Sequence, residues 1–211
     1  KSLAEVGPWP WPRQELARLV NAIDEAGAQL QIHDVFLAEP KDGDAGLVAA
    51  LESSRGAVLA QVPILQSEQT ARVGAMSHAL TAVSCGAQPP GASSGISLPS
   101  TQNYIASHAG FSAISKGHIT PIVASDGSIR QFPALICVDG MPYPALAISA
   151  LLEATNSVDW NASVRADRSF FGPEFRLQLD AYPGLNIPLD SQGNIRISYK
   201  QAPNNFRAVS A

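Results

Sequence analysis

The chain has 211 residues, 14 Lys plus Arg against 18 Asp plus Glu, a net charge of -4 and 15% charged residues. So little charge, with only four lysines, excludes the clustered positive footprint that a nucleic-acid partner requires; 45% hydrophobic residues argue for a folded core rather than a disordered chain. The longest uncharged apolar run, Met141 to Leu152, falls short of the roughly 20 residues of a membrane span, and two cysteines, Cys85 and Cys137, are too few for a disulfide scaffold yet permit one bridge in an oxidising compartment.

Lys1 runs straight into Ser2-Leu3-Ala4-Glu5 without a basic-then-apolar leader, so the chain reads as a fragment of a longer one. Pro8-Trp9-Pro10-Trp11-Pro12 is a stiff aromatic lead-in, and Pro12 suits the first turn of a helix. Leu16, Leu19, Val20 and Ile23 make the apolar stripe of that helix, with Gly27 as its stop. Ala28 to Leu37 reads as a buried strand, Leu30 and Ile32 alternating with glutamines. Asp44 is placed to cap a second helix bearing Leu47, Val48 and Leu51, and Ala57 to Leu65 is another apolar strand. This helix, strand, helix, strand order predicts parallel pairing through crossovers. The unit lacks a preceding strand, although such units usually begin with one.

Residues 66–100 form a polar stretch of small residues without sustained period, an excursion or insertion at the surface. A short helix is expected around Gln102 to His108. Beyond it, Ile119 to Ala124 and Ile129 to Val138 flank the turn pair Asp126-Gly127, and Asp139-Gly140 makes a second turn. Met141-Pro142-Tyr143-Pro144 opens a helix running through Leu152. Asn186 to Leu189 and Ile195 to Tyr199 form a last hairpin across Asp190-Ser191-Gln192-Gly193. The fold class is α/β, a mixed sheet with a parallel βαβ-like N-terminal half, antiparallel hairpins in the C-terminal half and helices packed on the sheet.

Candidate chemistry is sparse. Gly91-Ala92-Ser93-Ser94-Gly95 has the spacing of a nucleophile elbow, but Pro89-Pro90 stands where the preceding strand belongs and no acid lies between Ser93 and His118, the last histidine, so a flexible loop explains it better. Ser112 and Lys116 are four apart, not the three of a Ser-x-x-Lys pair. His33, His78, His108 and His118 show no paired spacing for a metal, and Asp42-Gly43-Asp44 lacks the later ligands of a calcium loop. No catalytic residue, metal set or cofactor is expected. Three features carry possible function. His33, Asp34 and Glu39 sit at the carboxyl end of the first strand, where open parallel sheets place ligands; against this, Asp34 turning the chain and Glu39 pairing with Arg13 is a sufficient structural account. Trp9 and Trp11 offer an aromatic wall or a lid on the core. Asp126 and Arg130 bracket a turn, which a salt bridge explains. The ligand-binding candidates are Trp9, Trp11, Arg13, His33, Asp34 and Glu39.

Lys1-Ser2-Leu3, Gly7-Pro8-Trp9-Pro10-Trp11-Pro12-Arg13, Gly27-Ala28, and His33-Asp34-Val35-Phe36 with Ala38-Glu39-Pro40 together resemble the second-type CHASE domain. The resemblance resumes in Gly117-His118-Ile119, Asp126 to Arg130 with Phe132-Pro133, Tyr143 to Ala147, Ile187 to Asp190 and Ile195 to Tyr199. Members usually open with an apolar strand before Lys-Ser-Leu, which is absent here; the 66–100 stretch is longer and more polar, and His33 replaces a more apolar residue.

The resemblance implies one extracytoplasmic sensor domain over residues 1–211 of a bacterial inner-membrane receptor, facing the periplasm. It implies membrane helices flanking the domain and a cytoplasmic output module, such as a nucleotide cyclase, a diguanylate cyclase or phosphodiesterase, or a histidine or serine/threonine kinase. The expected partners are a small molecule or a periplasmic protein, with a homodimer in the receptor. The alternatives are a secreted hydrolase using Ser93 or the Asp34 and Glu39 carboxylates, and an interaction module that binds no small ligand.

Overall fold

The computed structural model describes residues 7–66, 68, 70–86, 95–155, 160–166 and 175–200. Helix α1, Arg13–Glu25, follows Pro12, whose backbone (φ -56°, ψ 150°) serves as the N-cap rather than as a residue of the first turn. Its end is a Schellman turn: Gly27 takes φ +92°, and the Gly27 and Ala28 N–H groups donate to the carbonyls of Asp24 and Ile23. Strand β1, Gln31–His33, then pairs in parallel with β2, Ala57–Pro63, Gln31 opposite Ala57. Helix α2, Asp44–Ser53, connects them.

The inward phase of β1 is opposite to the one its apolar residues suggest. Gln31 is buried and Ile32 is 53% exposed. The reason is helix α1: Gln31 Nε2 donates to the Val20 carbonyl at 3.0 Å, so the residue facing the helix is the one that can hydrogen-bond its backbone.

On the far side of β2 lies β6, Ser115–His118, also parallel, with Leu59 opposite Lys116 and Gln61 opposite His118. Two short strands extend β2: β5, Tyr104–Ile105, runs antiparallel to it, and β3, Arg72–Val73, runs parallel to β5. The helix expected over Gln102 to His108 is thus a strand followed by a 3-10 turn at Ala109–Phe111. The 66–100 stretch is likewise more than an excursion. It holds β3 and ends at β4, Ser100–Thr101, which pairs in parallel with β9, Leu135–Val138, and it buries Leu80, Val83, Ile96 and Leu98.

Hairpins dominate the rest. Strand β7, Ile122–Val123, meets β8, Ile129–Pro133, around Asp126-Gly127, where Asp126 and Arg130 form the expected salt bridge at 2.6 Å. Strand β9 meets β10, Met141–Pro144, across Asp139 and Gly140 at φ 51° and 81°, the geometry of a type I′ turn. Residues Met141 to Pro144 are therefore a strand, and helix α3 begins only at Leu146 and ends at Glu153. Strands β11, Ala162–Ala166, and β12, Phe175–Leu179, pair antiparallel, and β13, Asn186–Leu189, adds to β12. Strand β14, Asn194–Arg196, pairs with β8 instead of β13. The turn at Asp190 forms as expected, but its two arms enter different sheets.

Two apolar clusters hold these layers. Val20, Leu37, Leu47, Leu51, Leu59 and Phe111 pack between α1, α2 and the parallel strands; each such side chain contributes about 1.5–3 kcal/mol on burial. Leu80, Leu135, Ile148, Leu152, Leu177 and Leu179 belong to the second cluster, under α3 and the C-terminal sheet. The Cys85–Cys137 pair is bridged, Cα atoms 6.1 Å apart, and fastens the 66–100 stretch to β9. Helix α3 lies on β6, Ser149 Oγ donating to the Lys116 carbonyl at 3.0 Å.

Candidate functional site

A solvent-open cleft of about 370 Å³ lies at the carboxyl end of β1, lined by Trp9, Arg13, Asp34, Phe36, Glu39 and Lys41 among others. The lead-in and the loop after β1 build it from opposite sides. Trp9 is 53% exposed and turns its edge toward Trp11, centroids 5.9 Å apart. Trp11 does not line the cleft; its Nε1 donates to the Gly7 carbonyl at 2.9 Å, folding the lead-in back on itself. Trp9, half exposed, lines the cleft.

The floor is set by Arg13, whose side chain is only 8% exposed. Its Nε donates to Asp44 Oδ1 at 2.7 Å and its Nη2 to the Glu39 backbone carbonyl at 3.3 Å. The expected Arg13–Glu39 ion pair is therefore replaced: Glu39 supplies a carbonyl and Asp44 the charge. Asp44 is not a side-chain cap of α2 either, because Gly43 at φ +90° is the N-cap. Asp44 instead gathers three donors, Arg13 on Oδ1 and the Lys41 N–H and His108 Nε2 on Oδ2, at 2.7 and 2.8 Å. Burial raises the Asp44 pKa, but these hydrogen bonds win and hold it below 3.8. His108 Nδ1 accepts the Gly110 N–H at 3.1 Å, which places the ring proton on Nε2, facing the carboxylate.

Asp34, Glu39 and Lys41 are exposed, and their charged groups have no partner among the described residues. His33, the remaining candidate, does not line the cleft. It borders a separate apolar cavity of about 30 Å³ between α1, α2 and the strands, where its Nε2 has no hydrogen-bond partner and burial lowers its pKa. Ser93 lies outside the described residues.

A second polar cluster, unforeseen in the sequence, sits on β6, across β2 from β1, with Lys116 level with the carboxyl end of β1: His33 lies opposite Leu59 and Leu59 opposite Lys116. Lys116 and His118 are both fully buried. Lys116 Nζ has one acceptor, the Ala75 carbonyl at 3.2 Å, and burial pushes its pKa down to about 8. His118 stacks on Phe132, rings 5.4 Å apart, with neither nitrogen bonded; burial drives it down to about 3. Burial and then the Lys116 charge lower His78 to about 4. The local hint was the small residues beside Lys116, Ser115 and Gly117, which let both faces of β6 be covered. Among the described residues no group of acids, histidines and cysteines could hold a metal, and no helix is long and apolar enough to cross a membrane.

Fold and cleft define the class: a mixed α/β domain with an open, mixed-charge cleft at the carboxyl edge of its parallel strands. No curated protein and no solved structure matches the chain significantly. The CHASE2 domain matches it over residues 1–211, and the chain belongs to that family. It is accordingly a sensory, extracytoplasmic module of an inner-membrane receptor, without catalysis of its own, which sets the hydrolase reading aside.

Proposed function

We propose that the cleft beside Arg13 is the input site, where a small polar solute binds outside the membrane and biases the receptor between two states. The observation that carries this reading is the cleft itself, about 370 Å³, with two carboxylates and an ammonium that have no partner among the described residues and an exposed tryptophan around it. Pockets for small molecules run roughly 300–1,000 Å³ and need just such a few polar groups for orientation. A ligand shifts an equilibrium only by its difference in affinity for the two states. The Arg13–Asp44 contact supports a route for that difference, since it ties α1 to the first turn of α2 across the cleft floor. The signal would pass through flanking membrane helices, in a homodimer, to a cytoplasmic nucleotide cyclase, diguanylate cyclase or phosphodiesterase, or protein kinase.

A thermal-shift screen of polar metabolites tests the site. A solute that binds only the native domain raises its stability by about 2.7 kcal/mol at a hundredfold excess over Kd. That gain should vanish in Trp9→Ala and shrink in Lys41→Gln; a stabilising solute that is indifferent to both variants sinks the cleft as the input site.

A further inference from the structure

We propose that the ligand is a zwitterion of the amino-acid class, its carboxylate held by Arg13 and Lys41, its ammonium by Asp34 and Glu39, and its body against Trp9. This rests on the cleft being the input site and narrows that reading to one chemistry.

The charge arrangement selects it. Arg13 is fixed in place, its side chain 8% exposed, with Nε on Asp44 and Nη2 on the Glu39 carbonyl. Its Nη1 has no partner among the described residues. A guanidinium presents its donors as a planar fork that suits a carboxylate, and packing has already removed most of the rotamer entropy such a contact would cost. Asp44 cancels the net charge of Arg13, so a bare anion gains one unpaired cation, Lys41, and faces two unpaired carboxylates. A bare cation gains the carboxylates and faces Lys41. A solute carrying both charges meets an opposite charge at each end and brings no net charge into the cleft.

Size and shape agree. About 370 Å³ is at the small end of ligand pockets, room for an amino acid with a side chain. Trp9 adds a flat, exposed face that attracts an ammonium or an apolar side chain. Specificity for both charges also follows from how they are supplied: Asp34 and Glu39 flank the short run that lines the cleft, while Arg13 comes from the first turn of α1, so the ligand bridges two chain segments.

Calorimetry on this domain with L-alanine, L-leucine and L-phenylalanine, against propionate and propylamine, is the test. At least one amino acid is expected to bind at millimolar concentration or better, with the two half-charged analogues about tenfold weaker or more, the equivalent of one ion pair. Lys41→Gln and the double variant Asp34→Asn with Glu39→Gln should each weaken binding by a similar factor and leave the melting temperature of the free domain unchanged, because these side chains are exposed and unpaired. Propionate binding as tightly as L-alanine, lost in Lys41→Gln but not in the carboxylate variant, overturns the zwitterion and leaves the cleft as the site of an anion. Amino-acid binding that survives every variant overturns both, since the ligand then sits elsewhere. If none of the three amino acids binds, the zwitterion falls, and the cleft is judged by the wider solute screen.

Discussion

Arg13 Nε and Asp44 Oδ1 stand 2.7 Å apart across 31 residues of sequence, with side chains 8% and 15% exposed. Removing one partner of such a pair leaves the other charge uncompensated and costs about 3–5 kcal/mol. Asp44→Ala should therefore lower the urea midpoint steeply and also release His108, which loses its Nε2 acceptor. Because the Asp44 pKa is depressed, its contribution is complete above the unfolded value near 3.8 and is lost as pH falls through the lower folded value. A variant as stable as the parent at pH 7 would contradict the anchor.

Lys116 is a stability cost by the same reasoning with the opposite sign. Its folded pKa of about 8 lies under the ordinary lysine value of 10.5, so between those limits the unfolded chain holds a proton that the native chain has released, and stability climbs with pH across that window. Lys116→Met should raise stability at pH 7 by roughly 3 kcal/mol, because lowering a pKa by one costs the charged form about 1.36 kcal/mol, and should flatten the alkaline climb. Equilibrium denaturation at pH 7 and pH 10 gives both numbers.

Acid sensitivity follows from His33, His78 and His118, all held below 6.5. The unfolded chain takes up protons below 6.5 that the native chain refuses until about pH 4 at His78 and about 3 at His118. Stability thus falls as pH drops through that range. His118→Met should remove one proton from this dependence, a slope change of about 1.4 kcal/mol per pH unit, read from melting curves between pH 6.5 and 4. An unaltered slope would mean that His118 is not sealed from solvent.

Gly117 separates Lys116 from His118 and faces helix α3. A Cβ at that position would lie 2.5 Å from the Leu146 Cα and from Ser149 Oγ. Gly117→Ala must push α3 off the sheet and should cost about 1–3 kcal/mol, with the melting temperature as readout. A neutral substitution there would show that helix and strand do not approach so closely.

Reduction of Cys85–Cys137, separated by 52 residues, frees a loop whose closure is worth about 4 kcal/mol on the chain-entropy model. The melting temperature should drop in reductant, and the Cys85→Ala, Cys137→Ala double variant should start at the reduced value and ignore reductant.

Local signals carried the N-terminal half. The stripe from Leu16 to Ile23 and the Gly27 stop mark α1 without tertiary help, and the Asp139-Gly140 pair marks its own turn. The misreadings share a cause: partners distant in sequence decided the outcome. Tyr104–Ile105 is a strand because β2 and β3 flank it, although the residues around it suit a helix. Gln31 is inside because Val20 offers a carbonyl there. The arms of the Asp190 turn look like one hairpin, yet β13 goes to β12 and β14 to β8. One strand was legible and overlooked: Phe175, Leu177 and Leu179 alternate with Arg176 and Gln178 and are all buried. At the cleft, the candidates Trp9, Arg13, Asp34 and Glu39 converge on one wall-lined space, whereas Asp44, His108 and Lys41 entered only through contacts that no spacing rule encodes.

The bridge between Cys85 and Cys137 also bears on where this receptor can mature. Cytosolic thiol buffers keep cysteines reduced, and oxidation takes hold only past the membrane. A chain emerging from the ribosome therefore lacks the fastening between the 66–100 stretch and β9. Once outside, oxidation fastens the stretch whose Ala75 carbonyl holds Lys116. Delivery and completion are thereby coupled: the domain reaches full stability only on the extracytoplasmic side, where its family places it.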